Sequence, residues 1–532
     1  MDVASAPWWA SAVFYQIYIR SFQDSTGDGV GDLWGAAERL AVLAELGVDA
    51  VWLSPIHPSP NCDFGYDVAD YDAVSQAFGG DAALDHFLAA AHSLGLRVIL
   101  DGVFNHTSDQ HPWFVQSRQD RSNPRRDWYH WHTGVRPPNN WGSVFGGSAW
   151  TQDPTTGDWY LHSFAAQQPD LNWANPAVKQ AIVACMGRWL DRGVAGFRLD
   201  VFNCYAKDLS RQDNPLRTDL VGRIGGLFYP FIGQVHAQDR DRPELYDVLA
   251  DMRALADAKG DRVLIGETLD ERFHYDRAAG YTGPGRLHLA FNFRLLHSPW
   301  TAERFHSAID AWSRDQRGAR WPTWVVGNHD FPRAATRWAA WTEDHTDDRM
   351  ALVMLMQLTL RGPAFIYQGD ELGLREASLR RSEIQDPPGR RFWPLYRGRD
   401  GCRTPMPWTT EGGFSSGTPW LPMPEDMDDR NVEDQRETAG SLWRTLRELT
   451  ALRRREDALK HGVLTLLPRP DRDVLAWTRT TATDTLRVFA NMGANTVVFA
   501  SAGGQQTCFT VNGAVDTGTG LVLPPLSGIV LR

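Results

Sequence analysis

The chain has 532 residues, 42% of them hydrophobic, enough to bury a large core and to form more than one domain. A formal net charge of −11 excludes the concentrated Lys and Arg that nucleic acid binding requires. Five cysteines, odd in number and irregularly spaced, suit the reduced thiols of a cytoplasmic protein rather than a disulfide framework, and no apolar run is long enough to span a bilayer.

The opening segment MDVASAPWWASAVFYQ carries an acid and no basic start, which argues against a secretory leader and leaves the sequon Asn105-His106-Thr107 without a role. AVFYQIYIR reads as the first strand. The loop after it, DSTGDGVGDL (24–33), is rich in both Asp and Gly. Its aspartates would repel a phosphate and no Lys follows, which leaves a cation seat or a helix-capping turn. Counted from Asp24, side-chain oxygens fall at positions 1, 3, 5 and 9 (Asp24, Thr26, Asp28, Asp32), with the Val30 carbonyl at 7. That spacing opens a calcium loop of the EF-hand type, but Gly35 stands at position 12 in place of the bidentate Glu. Capping of the next helix by Asp32 is compatible with either reading.

DLWGAAERLAVLAELG then predicts a helix ending at Gly47, VDAVWLSP a strand, GDAALDHFLAAAHSLG a helix, and LRVILDGV a strand. Continuous apolar strands separated by helices indicate a parallel sheet covered on both faces. From 105 to 173 the alternation stops, and a loop-rich inserted subdomain is expected, with Trp in its Pro/Asn/Gly-rich runs HPWF and PPNNWGSVFGGSAW. Flat apolar rings among polar loops suit the faces of sugars, although most of the 23 tryptophans are expected in cores. Alternation resumes with NPAVKQAIVACMGRWLDRG, VAGFRLD, ELYDVLADMRALADAKG, DRVLIGE, RLHLAFNF, WPTWVVGNHD, RMALVMLMQLTL and GPAFIYQGDE. Eight strand candidates with helices between them favour a (β/α)8 TIM barrel, in two parts at 1–104 and 174–458, over a doubly wound sheet, which lacks its G-x-G-x-x-G turn here. Short apolar runs between turn residues from 459 to 532 predict a C-terminal antiparallel β domain. The fold class is therefore α/β.

Catalytic groups of such a barrel lie at the C-terminal ends of its strands. The polar residues there are Asp101, His106, Arg198, Asp200, Glu267, His329 and Asp330. One strand-end Asp is ordinarily a turn former. Three strands that each end in a carboxylate (Asp200, Glu267, Asp330) supply the parts of glycoside hydrolysis, a nucleophile and a proton donor. Arg198 would keep Asp200 ionised, and clustering would raise the pKa of another member. His106, His111, His130 and His132 lack zinc-ligand spacing, so no catalytic metal is expected. His106 and His329 are read as donors to sugar hydroxyls.

DGVFNH, GFRLDV, GETLD and VVGNHD, in that order, resemble the four characteristic regions of the α-amylase family, glycoside hydrolase family 13. QPDLNW, QGDELGL and GRDGCRTPMPW resemble its oligo-1,6-glucosidase and α-glucosidase branch, over nearly the whole chain. The resemblance implies Asp200 as nucleophile, Glu267 as acid and base, and Asp330 as the group that grips the 2- and 3-hydroxyls. Arg198, His106 and His329 would complete the first sugar subsite. Asp63 and Tyr66 of NCDFGYD would hold the non-reducing glucose, with Arg403 partnering Asp63 to close the pocket behind it. A closed pocket implies exo action on a small α-glucoside substrate. The branch also implies a structural Ca2+ or Mg2+ at Asp24, Thr26, Asp28, Val30 and Asp32, with Thr26 a weaker ligand than the usual Asp or Asn. No organic cofactor, nucleic acid or membrane is implied, and the chain would be a monomer or homodimer. Val201 after the nucleophile leans toward α-1,6 links or sucrose, so sucrose hydrolysis or isomerisation and glucosyl transfer stand beside α-glucoside hydrolysis. A non-catalytic amylase-like barrel, such as the ectodomain of a transporter subunit, would lack the carboxylates present here.

Overall fold

The computed structural model describes residues 6–269, 277–314, 321–339, 345–500 and 505–532. The first five residues of the opening segment and Asp270 of GETLD lie outside them. Eight parallel strands follow the predicted runs: β1 (Val13–Ile17), β2 (Ala50–Leu53), β3 (Arg97–Gly102), β4 (Gly196–Leu199), β5 (Val263–Gly266), β6 (Leu289–Ala290), β7 (Trp324–Val325) and β8 (Ala364–Tyr367). Neighbours pair in register from β7 through β8, β1 and onward to β6, and a parallel bridge between Asn292 and Trp324 joins the two ends. The sheet is thus the (β/α)8 barrel expected.

Both faces of each strand are apolar because they meet different cores. Phe14, Trp52, Ile99, Ile265 and Phe365 point inward, where Phe14 and Phe365 stack with ring centroids 4.5 Å apart. Val13, Tyr15, Val51, Val98 and Leu100 point outward into the helical layer. This double burial turns the alternation of an ordinary strand into a continuous apolar run. The helix Leu33–Leu46 begins where Asp32 accepts from the Gly35 N–H and ends where Gly47 adopts a φ of 89°.

The insert after β3 holds a three-stranded antiparallel sheet of Trp131–His132, Trp150–Gln152 and Trp159–Leu161. Trp141 and Trp150 are buried in its own small core, so these loop tryptophans pack the insert and do not face a sugar. Trp113 of HPWF packs on Trp128 and Tyr71. The reason is local: with so few regular hydrogen bonds, large rings supply the buried area that holds the loops together.

The last 70 residues form a five-stranded and a three-stranded antiparallel sheet. The strand Gly520–Leu523 is central to the smaller one. Two buried arginines bind the carbonyls behind the barrel, and the second of them belongs to this C-terminal region. Arg453, from the helix Leu442–Arg455, donates to the carbonyls of Ser11, Leu358, Leu360 and Gly362. Arg479, from the strand Val474–Thr480, donates to those of Thr359, Leu459 and Gly462. Several of these oxygens end the helix Thr346–Thr359, where carbonyls lack helical partners and a cation is favoured.

Candidate active site

Alternation along each strand decides what enters the barrel mouth. Asp101 lies two residues beyond inward-facing Ile99, Glu267 two beyond Ile265, and Asp200 two beyond Arg198. Arg198 is fully buried above Trp52, its guanidinium carbon 5.2 Å from the ring centroid. Its Nη1 donates to Asp101 Oδ1 at 2.6 Å and to Asp200 Oδ1 at 2.7 Å, and its Nη2 donates to Glu267. One cation therefore gathers three carboxylates from three strands. Burial pushes Asp101 up to about 7, although Arg198 pulls the other way. Directly after Asp200, Val201 sits at φ 36°, a left-handed conformation unfavourable for a β-branched residue.

A second chain of hydrogen bonds orients the aromatic wall. Gln16 Nε2 lies 2.6 Å from His329 Nδ1 and can only donate. His329 Nε2 then carries the proton and donates to the Tyr66 hydroxyl at 2.5 Å, which in turn donates to Asp101 Oδ2 at 3.1 Å. The Tyr66 and His329 rings stack at 5.4 Å. Burial pushes His329 down to about 3, so it is neutral at pH 7 despite the neighbouring Asp330. Fully buried and with both nitrogens engaged, His329 positions Tyr66, where a free donor to sugar had been expected. His106 lines the cavity, but its Nε2 is committed to the Tyr66 carbonyl at 2.9 Å and its Nδ1 faces Asn105 Nδ2 at 3.2 Å.

The cavity over these groups has a volume of about 660 Å3 and is lined by Asp63, Tyr66, Asp200, Glu267, Asp330 and Arg399 among others. One end is closed by an ion cluster. Arg399 Nη2 donates to Asp63 Oδ1 at 2.7 Å and to Asp386 Oδ1 at 2.6 Å, and its Nη1 donates to Asp330 Oδ1 at 3.1 Å. The sequence reading had given the Asp63 contact to Arg403. That residue instead donates to Asp330 Oδ1 at 2.9 Å and to the His329 carbonyl at 2.8 Å. The two arginines stand four positions apart in RGRDGCR, and the geometry of the intervening helical turn, Asp400–Cys402, decides which one faces Asp63. Burial would raise Asp330, but its charged neighbours hold it well below the usual carboxylate range. With His329 neutral, Arg399, Arg403 and Arg198 are the cations responsible. Asp63 is pushed up to about 6 by burial, against the pull of Arg399 and Arg403.

In the aspartate loop the carboxylates are held by the chain's own donors. Asp24 Oδ1 accepts from the N–H groups of Thr26 and Gly27, each at 2.8 Å, and Oδ2 accepts from Gly29 N–H at 2.8 Å and the Ser415 hydroxyl at 2.6 Å. Asp32 accepts from Ser25 and Gly35, and Asp28 from the Val30 N–H. Both oxygens of Asp24 and of Asp32 and one of Asp28 thus accept from N–H or O–H donors, and among the described residues no three His, Cys, Asp or Glu side chains are placed to hold a metal ion. Thr26 and the Val30 carbonyl complete no ligand set with them. Burial opposes ionisation of Asp24, but the Ser415 hydroxyl and the three N–H groups hold its pKa below the usual value. Asp24→Ala is expected to destabilise the fold by about 1–3 kcal/mol, to the same extent with or without EDTA, because buried donors lose their acceptor. Thermal melts of both proteins check this; a loss seen only without the chelator would restore the cation.

The fold and this mouth define a glycosidase-type (β/α)8 barrel, in which carboxylates from successive strands converge over one cavity. Residues 16–462 match the alpha-amylase catalytic domain, and the chain belongs to the α-amylase family. It is 44% identical over 464 residues to a probable alpha-glucosidase of Rhizobium meliloti (strain 1021), covering 86% of this chain and 84% of that protein. It is 35% identical over 527 residues to the oligo-1,6-glucosidase of Parageobacillus thermoglucosidasius, covering 92% of each. Among solved structures, the alpha-glucosyl transfer enzyme XgtA superposes with a TM-score of 0.93 at 40% identity, covering 99% of this chain and 100% of that one. The trehalulose synthase MutB from Pseudomonas mesoacidophila MX-45 does so with a TM-score of 0.88 at 31% identity, covering 99% of each chain.

Proposed function

We propose that the protein is a retaining α-glucosidase that removes terminal non-reducing α-glucosyl units from short oligosaccharides. The observation that carries this reading is the sharing of Arg198 by Asp200 and Glu267 at the floor of a cavity closed by Asp63 and Arg399. A shared guanidinium favours the short carboxyl separation of retaining enzymes, about 5–5.5 Å, over the wider gap that admits a water between them.

In the first half-reaction the Asp200 carboxylate, oriented by its bond from Arg198, attacks the anomeric carbon while Glu267 protonates the departing oxygen. The product is a β-linked glucosyl-enzyme. In the second half Glu267, now a carboxylate, takes a proton from water, which displaces Asp200 and releases α-glucose. Asp330, fixed as a carboxylate by its arginines, accepts from the sugar 2- and 3-hydroxyls, bonds that strengthen as the ring flattens. Asp63 and Tyr66 hold the glucose against the closed end.

Two measurements test this. Proton NMR of maltose hydrolysis is expected to show α-glucose from the cleaved unit before mutarotation; β-glucose first would exclude the double displacement. Initial rates over maltose, isomaltose, sucrose, trehalose and longer maltooligosaccharides are expected to fall with length. A preference for starch would contradict the closed end.

A further inference from the structure

The chain between β4 and β5 carries a buried histidine that the reaction does not use. The helix Leu220–Phe228 continues into a helical turn at Pro230–Gly233, and together they bring Phe228, Tyr229 and Ile232 to the cavity mouth. Little apolar area holds them there. A Cβ on Gly226 would lie 2.8 Å from the Gly233 Cα, so the two meet through small residues, and Leu220, Ile224, Leu227 and Phe228 are exposed. A segment with few buried contacts opens readily, and single hydrogen bonds decide where it sits. Behind it lies His236, 5% exposed, its ring centroid 4.1 Å from that of Phe231. His236 Nε2 is 2.8 Å from the Phe231 carbonyl oxygen, and Nδ1 is 2.8 Å from Asp239 Oδ2. The Asp239 side is anchored. Gln238 N–H donates to Asn214 Oδ1 at 3.0 Å, and the Gln238 carbonyl accepts from Asp208 N–H at 2.7 Å.

We infer that His236 is a proton-operated latch on the cavity mouth: with both ring nitrogens protonated it ties Phe231 to Asp239, and loss of one proton releases the segment 220–233. A carbonyl oxygen only accepts, and so does a carboxylate. Burial opposes ionisation of Asp239, but the bond from His236 and the charges of His236, Arg240 and Lys207 hold its pKa below the usual value. Both ring nitrogens therefore donate, which only the imidazolium form can do. The neutral ring keeps one proton. A carboxylate binds it about twice as strongly as a carbonyl does, so the bond to Phe231 is the one lost. The charged and titratable groups around the ring are Asp239 and Arg240 on its own segment, Lys207 and Cys204 from the turn after β4, and Asp170 of the insert. Burial pushes the Cys204 thiol up to about 12. Against the effect of burial, the pairing of Lys207 with Asp170 at 2.9 Å raises the lysine and lowers the aspartate. These neighbours thus keep their charges around neutrality, and the latch follows the ring alone. It is closed at low pH and opens as pH rises through the titration of His236.

Hydrogen exchange of the full-length protein, followed by mass spectrometry from about pH 6 to about pH 9 and corrected for base catalysis, reads the latch without substrate. Protection of the amides within 222–233 is expected to fall about tenfold over that range, the effect of one lost buried hydrogen bond, while the barrel strands keep theirs. His236→Gln, whose amide nitrogen can face only one of the two acceptors, is expected to show the low protection at every pH. Asp239→Asn is expected to show the high protection at every pH. Its amide N–H donates to the bare Nδ1 of a neutral ring, whose Nε2 proton then stays with Phe231. Wild-type protection that does not change with pH, or a fall in Asp239→Asn equal to that of the wild type, overturns the inference. A fall shared by the barrel strands also overturns it, in favour of a general loss of stability. On the glucosidase reading KM for maltotriose is expected to rise with the same midpoint while kcat changes less; a level KM overturns the role at the mouth. A protection step in a protein that hydrolyses no α-glucoside upholds the latch and overturns the hydrolase reading alone.

Discussion

Asp200→Ala is expected to lower kcat/KM on a nitrophenyl α-glucoside by about four orders of magnitude or more, with no loss of thermal stability. The two effects have one origin. Without Asp200 there is no atom to form the glucosyl-enzyme, and proximity and protonation alone recover little of the barrier. Arg198, however, keeps Asp101 and Glu267, and the loss of one of three anions on a single buried cation relieves repulsion. The melting temperature is expected to stay or rise. Azide, small enough to enter the space left by the carboxylate, is expected to restore turnover as β-glucosyl azide. Glu267→Gln separates the second role. It is expected to cost about 10²–10⁴-fold on maltose, whose leaving group needs a proton, and much less in the glucosylation step with a nitrophenyl leaving group. Wild-type turnover of maltose by either variant would remove these residues from the mechanism.

The second large effect belongs to Arg399. Arg399→Met strips the cation from Asp63, Asp330 and Asp386 together, and breaking a buried pair from one side costs about 3–5 kcal/mol. The loss carries a sign with pH. In the native protein Asp330 and Asp386 lie below their ordinary values, so their ionisation stabilises the fold above pH ~4 and that contribution fades as pH falls through their folded values. Asp63, at about 6, acts the other way and weakens the fold as pH rises through that value. Without Arg399 all three values move upward, so the variant should already lag at about pH 4, where native Asp330 and Asp386 are ionised, and fall further behind toward pH 8. Thermal melts over that range decide the matter; a constant gap would mean that Arg399 acts through packing. Activity is expected to fall as well, with its acid limb displaced to higher pH as Asp330 becomes easier to protonate.

Much of this was legible before any coordinates. Strands such as VILD and GFRLD announce themselves because burial on both faces leaves an apolar run that ends in one acid, and the acid is then placed by the strand's own alternation. The pairing of Arg399 with Asp63 was not legible. The partners are 336 residues apart, on loops without periodicity, and RGRDGCR offers three arginines with nothing in their spacing to single out Arg399. In the aspartate loop ligand spacing and N–H capping use the same residues, so the pattern alone does not tell them apart. In PPNNWGSVFGGSAW the tryptophans drew attention, but the cavity-lining ring is Phe145, while Trp141 and Trp150 hold up the loop behind it. The helix Leu220–Phe228 carries Leu, Ile and Phe as a core segment would, and its glycines, not its apolar positions, decide which face is buried.

Arg453 and Arg479 bear on how the molecule is made. The seam of the barrel lies between β1 and β8, where Val13 meets Ala364, so it joins the first strand of a nascent chain to the last. Of the carbonyls flanking that seam, those of Ser11, Leu358, Leu360 and Gly362 accept from Arg453 and that of Thr359 from Arg479, while that of Arg361 accepts from Trp324. Arg479 alone of these donors belongs to the terminal β domain, so that domain fastens the seam through a buried guanidinium that arrives late in the chain.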